Sequence, residues 1–369
     1  MLVFEFATIN GGERSIEAVL PQFVGTDFEF VALAPPKGAI VGALQAIGIP
    51  VVPFDVRDEA GNRRPAERIL EDFQSKVRHV VPDLVHGNSL STGRLTGSLA
   101  RQTGLVCTAH LRDIVGLSAA AVEQLNANQA LVAVSKAVRD FHVAQGVDQR
   151  RLRVIYNGID GRNVFPLSPT GWLKAELGLP AGASLMATIG QICLRKGQDV
   201  FAQAAVRVAR EMSDAHFLIV GERYSAKPES IAFEESICQE FVNAGLADRL
   251  HRLGYRNDVS RILGEIDLLV HCARQEPFGR VLLEAAAVGC PIVATNVGGT
   301  AEMLVDGESA LLVPADQPDA LAAAILRLRG DPLLRHRLAR AARERIVERF
   351  PIEKAARELA ELWRATLSH

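Results

Sequence analysis

Short apolar runs alternate with amphipathic stretches along the whole chain. The runs have the length and composition of buried strands. They lie at 2–8, 28–34, 49–53, 83–86, 105–109, 130–134, 152–156, 184–190, 215–221, 249–253, 267–271, 291–294 and 310–313. The intervening stretches repeat apolar positions at helical spacing, most clearly at 38–48, 64–78, 91–103, 197–211, 229–245, 280–288 and 317–329. This alternation, with strands apolar on both faces, predicts an α/β protein whose parallel sheets are covered by helices.

Turn-forming residues are densest over 157–170, in the segments Asn157–Gly161 and Pro166–Thr170. A chain of 369 residues is long enough for two domains of ordinary size. We therefore predict a doubly wound sheet on each side of this cluster, with the boundary between 165 and 166. A last amphipathic helix is predicted after Pro351.

Composition and charge restrict the class of protein. Apolar residues make up 48% and charged residues 23% of the chain, which fits a soluble globular protein and excludes disorder. The 41 basic and 43 acidic residues nearly balance, which argues against a general nucleic-acid partner. No apolar stretch approaches the roughly 18 residues that a membrane span needs.

The N-terminus and the cysteines point to the cytoplasm. Residues 1–7 lack a basic leader region and fit a first strand better than a signal peptide. The five cysteines are scattered without zinc-ligand spacing, so we expect buried, reduced thiols and no metal site. The basic segment 327–349 fits a solvated helix face, and contact with the inner face of an anionic membrane is the alternative.

Two glycine-rich or basic loops follow predicted strands at the edge where α/β sheets bind ligands. Gly11 and Gly12 would let backbone approach a phosphate or sugar, or they form a plain turn. Arg195 and Lys196 lie at a helix start, where the helix dipole disfavours cations. A bound anion would balance their charge, and a solvated basic turn is the alternative. His110, at a strand end on this edge, is either a site residue or structural.

The segment 275–291 carries the densest signal. A helix should begin near Gly279, so the backbone N–H groups of residues 278–281 would be unpaired and suited to a diphosphate. Glu276 precedes this helix, and Glu284 lies inside it on an apolar face. Buried carboxylates need partners, and ligand hydroxyl groups would serve. The glycine-rich loop 296–302 lies at the same edge.

The pattern Glu276-Pro-Phe-Gly-(x4)-Glu284-Ala-x-Ala-x-Gly-x-Pro291 resembles the EX7E signature of retaining glycosyltransferases. Further stretches resemble the same family in order and spacing. They are 132–137, 154–160, 217–222, 253–255 and 296–302. The chain is thereby identified as similar to glycosyltransferase family 4, which has the GT-B fold.

The resemblance implies two Rossmann-like doubly wound domains that face each other across a cleft. The C-terminal helix would cross back to the first domain. Residues 1–165 with 351–369 would then form the acceptor-side domain, and residues 166–350 would bind the nucleotide-sugar donor.

The implied reaction is metal-independent, retaining transfer of a hexose-type sugar from a UDP- or GDP-linked donor. The acceptor would be a glycan, a lipid-linked sugar or a small molecule, as in polysaccharide biosynthesis. No cofactor is expected, because cationic side chains and backbone amides would stabilise the departing diphosphate. A GT-B epimerase or hydrolase acting on UDP-GlcNAc and a catalytically silent nucleotide-sugar-binding subunit are the alternatives.

The resemblance also assigns residues to parts of the donor. The residues expected near the donor phosphates are Gly11, Gly12, Gln191, Arg195, Lys196, Phe278, Gly279, Arg280 and Val281. Leu253, Tyr255 and Asp258 are expected near the nucleoside base, and Glu284 is expected to contact the ribose. Glu276 and His110 are expected near the transferred sugar. His110, Lys196 and Glu276 would act in catalysis. One departure is Gln191, where the family commonly has arginine, and Arg195 is the residue that could compensate.

Overall fold

The computed structural model describes residues 1–161 and 167–368. The chain divides into two compact units. The first comprises Met1–Gly158 and the C-terminal segment from Phe350, and the second is Ile159–Arg349. The boundary predicted between 165 and 166 lies outside the described residues and stays a prediction.

The described part of the first unit contains a parallel seven-stranded sheet in the order β3-β2-β1-β4-β5-β6-β7. Its strands are β1 (Leu2–Val3), β2 (Ala32–Ala34), β3 (Val51–Pro53), β4 (Leu84–Gly87), β5 (Val106–Leu111), β6 (Ala130–Ala133) and β7 (Leu152–Val154). The strand order reverses between β1 and β4, which is where doubly wound sheets open a ligand crevice.

β1 is shorter than the predicted run 2–8 because the chain turns out of the sheet after Phe4. The Phe4 amide still donates to the Leu33 carbonyl, but the next residues find other partners. Glu5 pairs with Arg63 at 3.1 Å. The Ala7 carbonyl accepts from the Ile40 amide. The apolar pattern therefore located the strand but did not give its end.

The helices of the first unit cover its sheet. They are α1 (Gly11–Val19), α2 (Ala39–Ala46), α3 (Ala66–Val80), α4 (Leu90–Thr103), α5 (Ala119–Asn126) and α6 (Lys136–Ala144). The sequence pattern did not predict α5 and α6, which are short. Both begin at a serine cap: Ser118 accepts from the Ala121 amide, and Ser135 accepts from the Val138 amide. Those caps were the available signal.

The second unit has a parallel six-stranded sheet among its described residues, in the order β10-β9-β8-β11-β12-β13. Its strands are β8 (Ser184–Ile189), β9 (Ala215–Val220), β10 (Leu250–Gly254), β11 (Leu268–His271), β12 (Ile292–Thr295) and β13 (Leu311–Val313). Its helices are α7 (Trp172–Glu176), α8 (Gln198–Glu211), α9 (Pro228–Asn243), α10 (Val259–Glu265), α11 (Arg280–Val288), α12 (Thr300–Met303), α13 (Pro318–Gly330) and α14 (Pro332–Arg349). The strand order reverses between β8 and β11.

The C-terminal helix α15 (Ile352–Leu367) packs in the core of the first unit. Its Trp363 lies in an aromatic cluster with Phe23, Phe28 and Phe30, at ring-centroid distances of 5.6, 5.7 and 5.9 Å. The burial of this tryptophan ties the end of the chain to the first unit. The predicted return of the last helix to the first domain is confirmed.

Two surface expectations are qualified by the structure. All five cysteines are free, but Cys193 and Cys238 are only half-buried, because each lies on a segment at the surface of the second unit.

On the Arg-rich helix α14, Arg343 and Arg345 donate to the carbonyls of Ala287 and Met303, so these side chains dock the helix onto its own unit. In the described ranges, no helix has both the length and the apolar character needed to cross a membrane.

Candidate active site

The loops that carry Lys196 and Glu276 leave two neighbouring strands. β8 and β11 pair in parallel, with Met186 opposite Leu268, at the point where the strand order reverses. One loop runs from Gly190 to Gly197 after β8, and the other runs from Cys272 to Gly279 after β11. Because the carboxyl ends of parallel strands share one edge, the topology brings together residues that are far apart in sequence.

At this edge Lys196 and Glu276 form an ion pair. The Lys196 Nζ atom lies 2.5 Å from Glu276 Oε2, and Glu276 is 4% exposed. Burial opposes a charge on Glu276, but the Lys196 ammonium and the His271 ring outweigh it and hold the pKa of Glu276 well below its usual range. The carboxylate is therefore ionised at neutral pH.

His271, the last residue of β11, was missed by the sequence analysis. Its Nε2 atom lies 2.9 Å from the same Glu276 Oε2 atom and donates to it, since a carboxylate can only accept. Its Nδ1 atom is buried and has no partner within the described residues. A histidine that ends a strand five residues before a motif glutamate was the signal, but a buried strand histidine looks the same as a core residue.

The arrangement leaves part of each charged group available to a ligand. Both contacts use Glu276 Oε2, while Oε1 makes no hydrogen bond to any residue that the structure describes. An ammonium has three N–H donors, and Glu276 takes one of those on Lys196. Glu276 Oε1 can therefore accept a hydrogen bond from a ligand hydroxyl group at this edge. The neighbouring Lys196 ammonium can bind an anionic group of the same ligand.

The start of α11 lies in the same place. Gly279, with φ of 97°, precedes the helix, and the Leu282 amide donates back to the Gly279 carbonyl. The first N–H groups of an α-helix have no partner within it, and the helix dipole makes this end positive. The prediction that a helix begins at this motif is confirmed.

The loop after β12 supports the backbone of Glu276. The Gly299 amide donates to the Glu276 carbonyl at 2.9 Å. A Cβ atom on Gly298, whose φ is +51°, would lie 2.0 Å from that same carbonyl oxygen. Glycine at 298 is therefore required by both backbone conformation and space.

A Gly298→Ala substitution should destabilise the second unit and displace Glu276. Gly307→Ala is the matched control, because Gly307 also has a positive φ of +70° but nothing within 4 Å of its added Cβ. The control should cost about 1–2 kcal/mol from backbone conformation alone. Denaturant unfolding should show a clearly larger loss for Gly298→Ala, and equal losses would contradict the steric argument.

Glu284 has a partner of its own. Arg280 Nε lies 2.7 Å from Glu284 Oε1, one helical turn along α11, and the Glu284 side chain is 15% exposed. We expected a buried carboxylate that takes ligand hydroxyls as partners, whereas the side chain is partly exposed and has Arg280 as a protein partner. The i,i+4 spacing of Arg280 and Glu284 was readable from the sequence. Contact with ribose stays a prediction.

The residues predicted near a nucleoside base form a separate group. Leu253 lies on β10, and Tyr255 is 49% exposed, with its amide donating to Glu222. Asp258 is held by two hydrogen bonds of 2.8 Å from Arg256, which lower the pKa of its carboxyl group. Its carboxylate is thus already engaged by a protein cation.

Gln191 and Arg195 lie on the loop after β8. Gln198, which is almost fully buried, fixes this loop by donating to the Gln191 carbonyl at 2.9 Å. The Arg195 side chain is half-buried, and its guanidinium makes no hydrogen bond in the described part of the chain. Compensation by Arg195 for the neutral Gln191 stays a prediction.

The other predicted residues lie in the first unit, Gly11 and Gly12 after β1 at the reversal point of its sheet and His110 on β5, which pairs with β4. Gly11 and Gly12 open α1, and the Asn10 amide donates to Glu13 at the start of that helix. An added Cβ on Gly12 would lie 3.0 Å from the Arg112 side chain. His110 lies within β5 rather than after it, because that strand extends to Leu111. It is 4% exposed, and its Nδ1 atom lies 2.7 Å from His86 Nε2.

Comparison with known proteins agrees with this architecture. Residues 9–162 match the family model "Glycosyltransferase Family 4", and residues 173–345 match "Glycosyl transferases group 1". The lipopolysaccharide core biosynthesis mannosyltransferase LpsB of Rhizobium meliloti is 31% identical over 58% of this chain and 61% of its own length. The N-acetyl-alpha-D-glucosaminyl L-malate synthase of Bacillus anthracis is 32% identical over 55% of this chain. The match spans 51% of that synthase, so this chain aligns with about half to three fifths of these relatives.

Solved structures show the same fold over the full length. Anabaena HepE, in a complex with UDP and glucose, superposes with a TM-score of 0.87 at 22% identity, covering 99% of this chain and 98% of HepE. Sucrose-phosphate synthase of Thermosynechococcus elongatus gives a TM-score of 0.80 at 19% identity, covering 100% of this chain and 98% of the synthase. The two Rossmann-like units and the two adjoining family models show that the chain belongs to the glycosyltransferases of the GT-B fold.

Proposed function

We propose that this chain is a retaining glycosyltransferase with the EX7E motif. It transfers a hexose-type sugar from a UDP- or GDP-linked donor to a glycan, a lipid-linked sugar or a small molecule. The observation that carries the proposal is the buried Glu276 carboxylate, held by Lys196 and His271 beside the start of α11. Support comes from HepE, which was solved with UDP-glucose, and from LpsB, which is named a mannosyltransferase.

The diphosphate lies against Lys196 and the N-terminus of α11. Glycosyl transfer develops positive charge on the sugar and negative charge on the leaving phosphate. The Lys196 ammonium and the first N–H groups of α11 stabilise that negative charge, and they need no reorganisation because the protein already fixes them. The departing phosphate then takes the proton of the acceptor hydroxyl on the face from which it leaves, which retains the configuration.

Glu276 orients the sugar rather than attacking it. Its Oε2 atom is fixed by two donors, so Oε1 accepts a hydrogen bond from a sugar hydroxyl. Since Glu276 stays ionised, its charge also lies near the positive charge that develops on the ring. His271 holds the carboxylate in this orientation.

The donor class can be tested without knowing the acceptor. Unfolding of the protein is followed by thermal shift with UDP, GDP or ADP, and inorganic phosphate is the control. A ligand present at 100 times its Kd stabilises the folded state by about 2.7 kcal/mol. We expect UDP or GDP to raise Tm well above the phosphate control. No rise with any of the three nucleotides would refute the proposed donor site.

Turnover should persist in excess EDTA. The protein supplies the charge on the phosphates through Lys196 and α11, so no divalent cation is required in the proposed reaction. The release of diphosphate is measured before and after EDTA treatment, and then with added Mg²⁺ or Mn²⁺. Loss of activity in EDTA with recovery on adding the metal would show that this assignment is wrong.

A further inference from the structure

A chain of hydrogen bonds runs from the C-terminal helix to His110 inside the first unit. Trp363 on α15 donates its Nε1–H to His86 Nδ1 at 3.3 Å. The same Nδ1 atom lies 2.7 Å from the Thr108 hydroxyl. On its other side, His86 Nε2 lies 2.7 Å from His110 Nδ1. All three rings are nearly fully buried, so these contacts are protected from exchange with water.

The chemistry of the donors fixes where the protons lie. An indole N–H can only donate, so His86 Nδ1 must be an acceptor, and the Thr108 hydroxyl must donate to it as well. A neutral imidazole with a bare Nδ1 carries its proton on Nε2. His86 therefore donates to His110 Nδ1, and the proton of His110 is left on Nε2.

His110 is one of the residues around a small cavity in the first unit. His110 lines this cavity with Ser15, Arg112, Tyr156 and Asn157, and its Nε2 atom makes no hydrogen bond to the residues that the structure describes. Ser15 and Arg112 already donate within the protein, to Gly11 and to Asn88 and Asn157, and much of the remaining lining is apolar. The Nε2–H group of His110 is therefore a donor that this cavity can offer to an oxygen atom of a ligand.

We propose that Trp363 and His86 act as positioning residues that fix His110 as the Nε2–H tautomer, so that His110 presents a neutral hydrogen-bond donor to an oxygen atom of the bound substrate. This inference rests on the proposed function, because the oxygen belongs to a substrate of that reaction. It gives the C-terminal helix a part in substrate binding by the first unit that its packing alone does not imply.

The electrostatic surroundings keep the two histidines neutral. Burial lowers the pKa of His86 to about 3, with a smaller effect of Arg112. Burial, Arg112 and His86 lower the pKa of His110 well below its usual value. The N-terminal ammonium also lowers the pKa of His86. Tyr156 lines the cavity, and the Glu13 carboxylate on α1 interacts with both Arg112 and Asp113. His110 is thus a donor without charge across the physiological pH range.

The tautomers can be measured directly in the full-length protein. Long-range ¹H–¹⁵N correlation spectra of ¹⁵N-histidine-labelled protein distinguish protonated from bare ring nitrogens, and the signals lost in His86→Gln and His110→Gln assign the two residues. We expect a bare Nδ1 and a protonated Nε2 on both rings, unchanged between pH 6 and 8. A proton on His110 Nδ1 would overturn the proposal, whether or not the protein has activity.

A matched pair of variants tests the effect on catalysis. Glutamine at position 86 still offers one acceptor and one donor, whereas glutamate offers acceptors only. His86→Gln should keep kcat within about threefold. His86→Glu should force the His110 proton onto Nδ1 and lower kcat by more than about tenfold at pH 8, with little change in KM. Lowering the pH should restore part of this loss, because an imidazolium carries protons on both nitrogens.

The role of Trp363 is tested by removing only its N–H group. Trp363→Phe keeps a ring in the aromatic cluster, and Thr108→Val removes the second donor to His86 Nδ1. The double variant should show protonation of His86 Nδ1 in a part of the molecules. In those molecules the proton of His110 should also lie on Nδ1. Unchanged tautomers in the double variant, or equal kcat values and pH profiles for His86→Gln and His86→Glu, would refute the positioning role of Trp363 and His86. If the parent transfers no sugar but shows the expected tautomers, the proposed function is wrong, while the positioning of His110 by Trp363 and His86 is still supported.

Discussion

Lys196→Ala should lower kcat by about 10²–10³-fold, the usual cost of losing one group that stabilises a developing anion. Lys196 lies at the edge where β8 and β11 end, beside the start of α11, and it is the cation that we assign to the leaving phosphate. Steady-state rates of the parent and the variant with the same donor measure this loss. Lys227→Ala is the control, because Lys227 is an exposed lysine of the same unit. A rate within threefold of the parent would remove Lys196 from the mechanism.

The same substitution should also affect stability, with a defined dependence on pH. Breaking a buried ion pair costs up to about 3–5 kcal/mol, and His271 remains to offset part of it. Because the pKa of Glu276 in the folded parent lies below its ordinary value of 4.5, the pair stabilises the parent above that pH, and the contribution is lost on acidification. The stability deficit of Lys196→Ala should therefore be present in full at pH 7 and shrink as the pH falls below about 4.5.

A double variant separates catalysis from folding. In Lys196→Ala/Glu276→Gln the buried carboxylate is gone, so most of the lost stability should return. The activity should stay low, because neither substitution restores a cation at the phosphates. Recovery of activity together with stability would show that Lys196 acts only through folding.

Glu276→Ala should act mainly on turnover, whereas Glu284→Ala should act mainly on binding of the nucleotide. The transferred sugar is present only in the donor, so Glu276→Ala should lower kcat by about 10²-fold or more and leave the affinity for the free diphosphate nearly unchanged. Ribose is present in both molecules, so Glu284→Ala should weaken both alike. A charged hydrogen bond is worth about 1.5–3 kcal/mol, or roughly 10- to 150-fold in Kd.

Calorimetric titration with the free nucleoside diphosphate, together with steady-state rates, distinguishes the two roles. Arg280→Ala is a useful companion, because it removes the ion-pair partner of Glu284 and leaves the carboxylate in place. If Glu276→Ala loses as much affinity for the diphosphate as Glu284→Ala does, Glu276 contacts the nucleotide and the site must be redrawn.

The sequence predicted the fold well because parallel strands in a two-sided α/β sheet are apolar on both faces. That pattern located every strand of the two described sheets. It failed at element ends, as in β1, where Glu5 and Ala7 leave the sheet for tertiary partners. It also missed α5 and α6, for which the serine caps Ser118 and Ser135 were the local signal. Tertiary contacts, which the local pattern does not encode, decide where β1 ends.

The candidate site was predicted as a set of loops but not as a set of contacts. Lys196 and Glu276 could each be singled out from helix-start and motif positions, whereas their ion pair joins residues that only the order of β8 and β11 brings together. His271 was indistinguishable from a core residue, since only the structure shows that its Nε2 atom donates to Glu276. The contact of Glu284, in contrast, could have been predicted, because its partner Arg280 lies four residues earlier on the same helix.

Acceptor-dependent release of nucleoside diphosphate is the most direct measurement of the central claim. The donor is the UDP- or GDP-sugar whose nucleotide gives the largest thermal shift, and the acceptors are panels of glycans, lipid-linked sugars and small molecules. We predict that one acceptor class increases diphosphate release, that the product keeps the anomeric configuration of the donor, and that Lys196→Ala abolishes the increase. Release at the same rate with and without every acceptor, or a product of inverted configuration, would contradict the account.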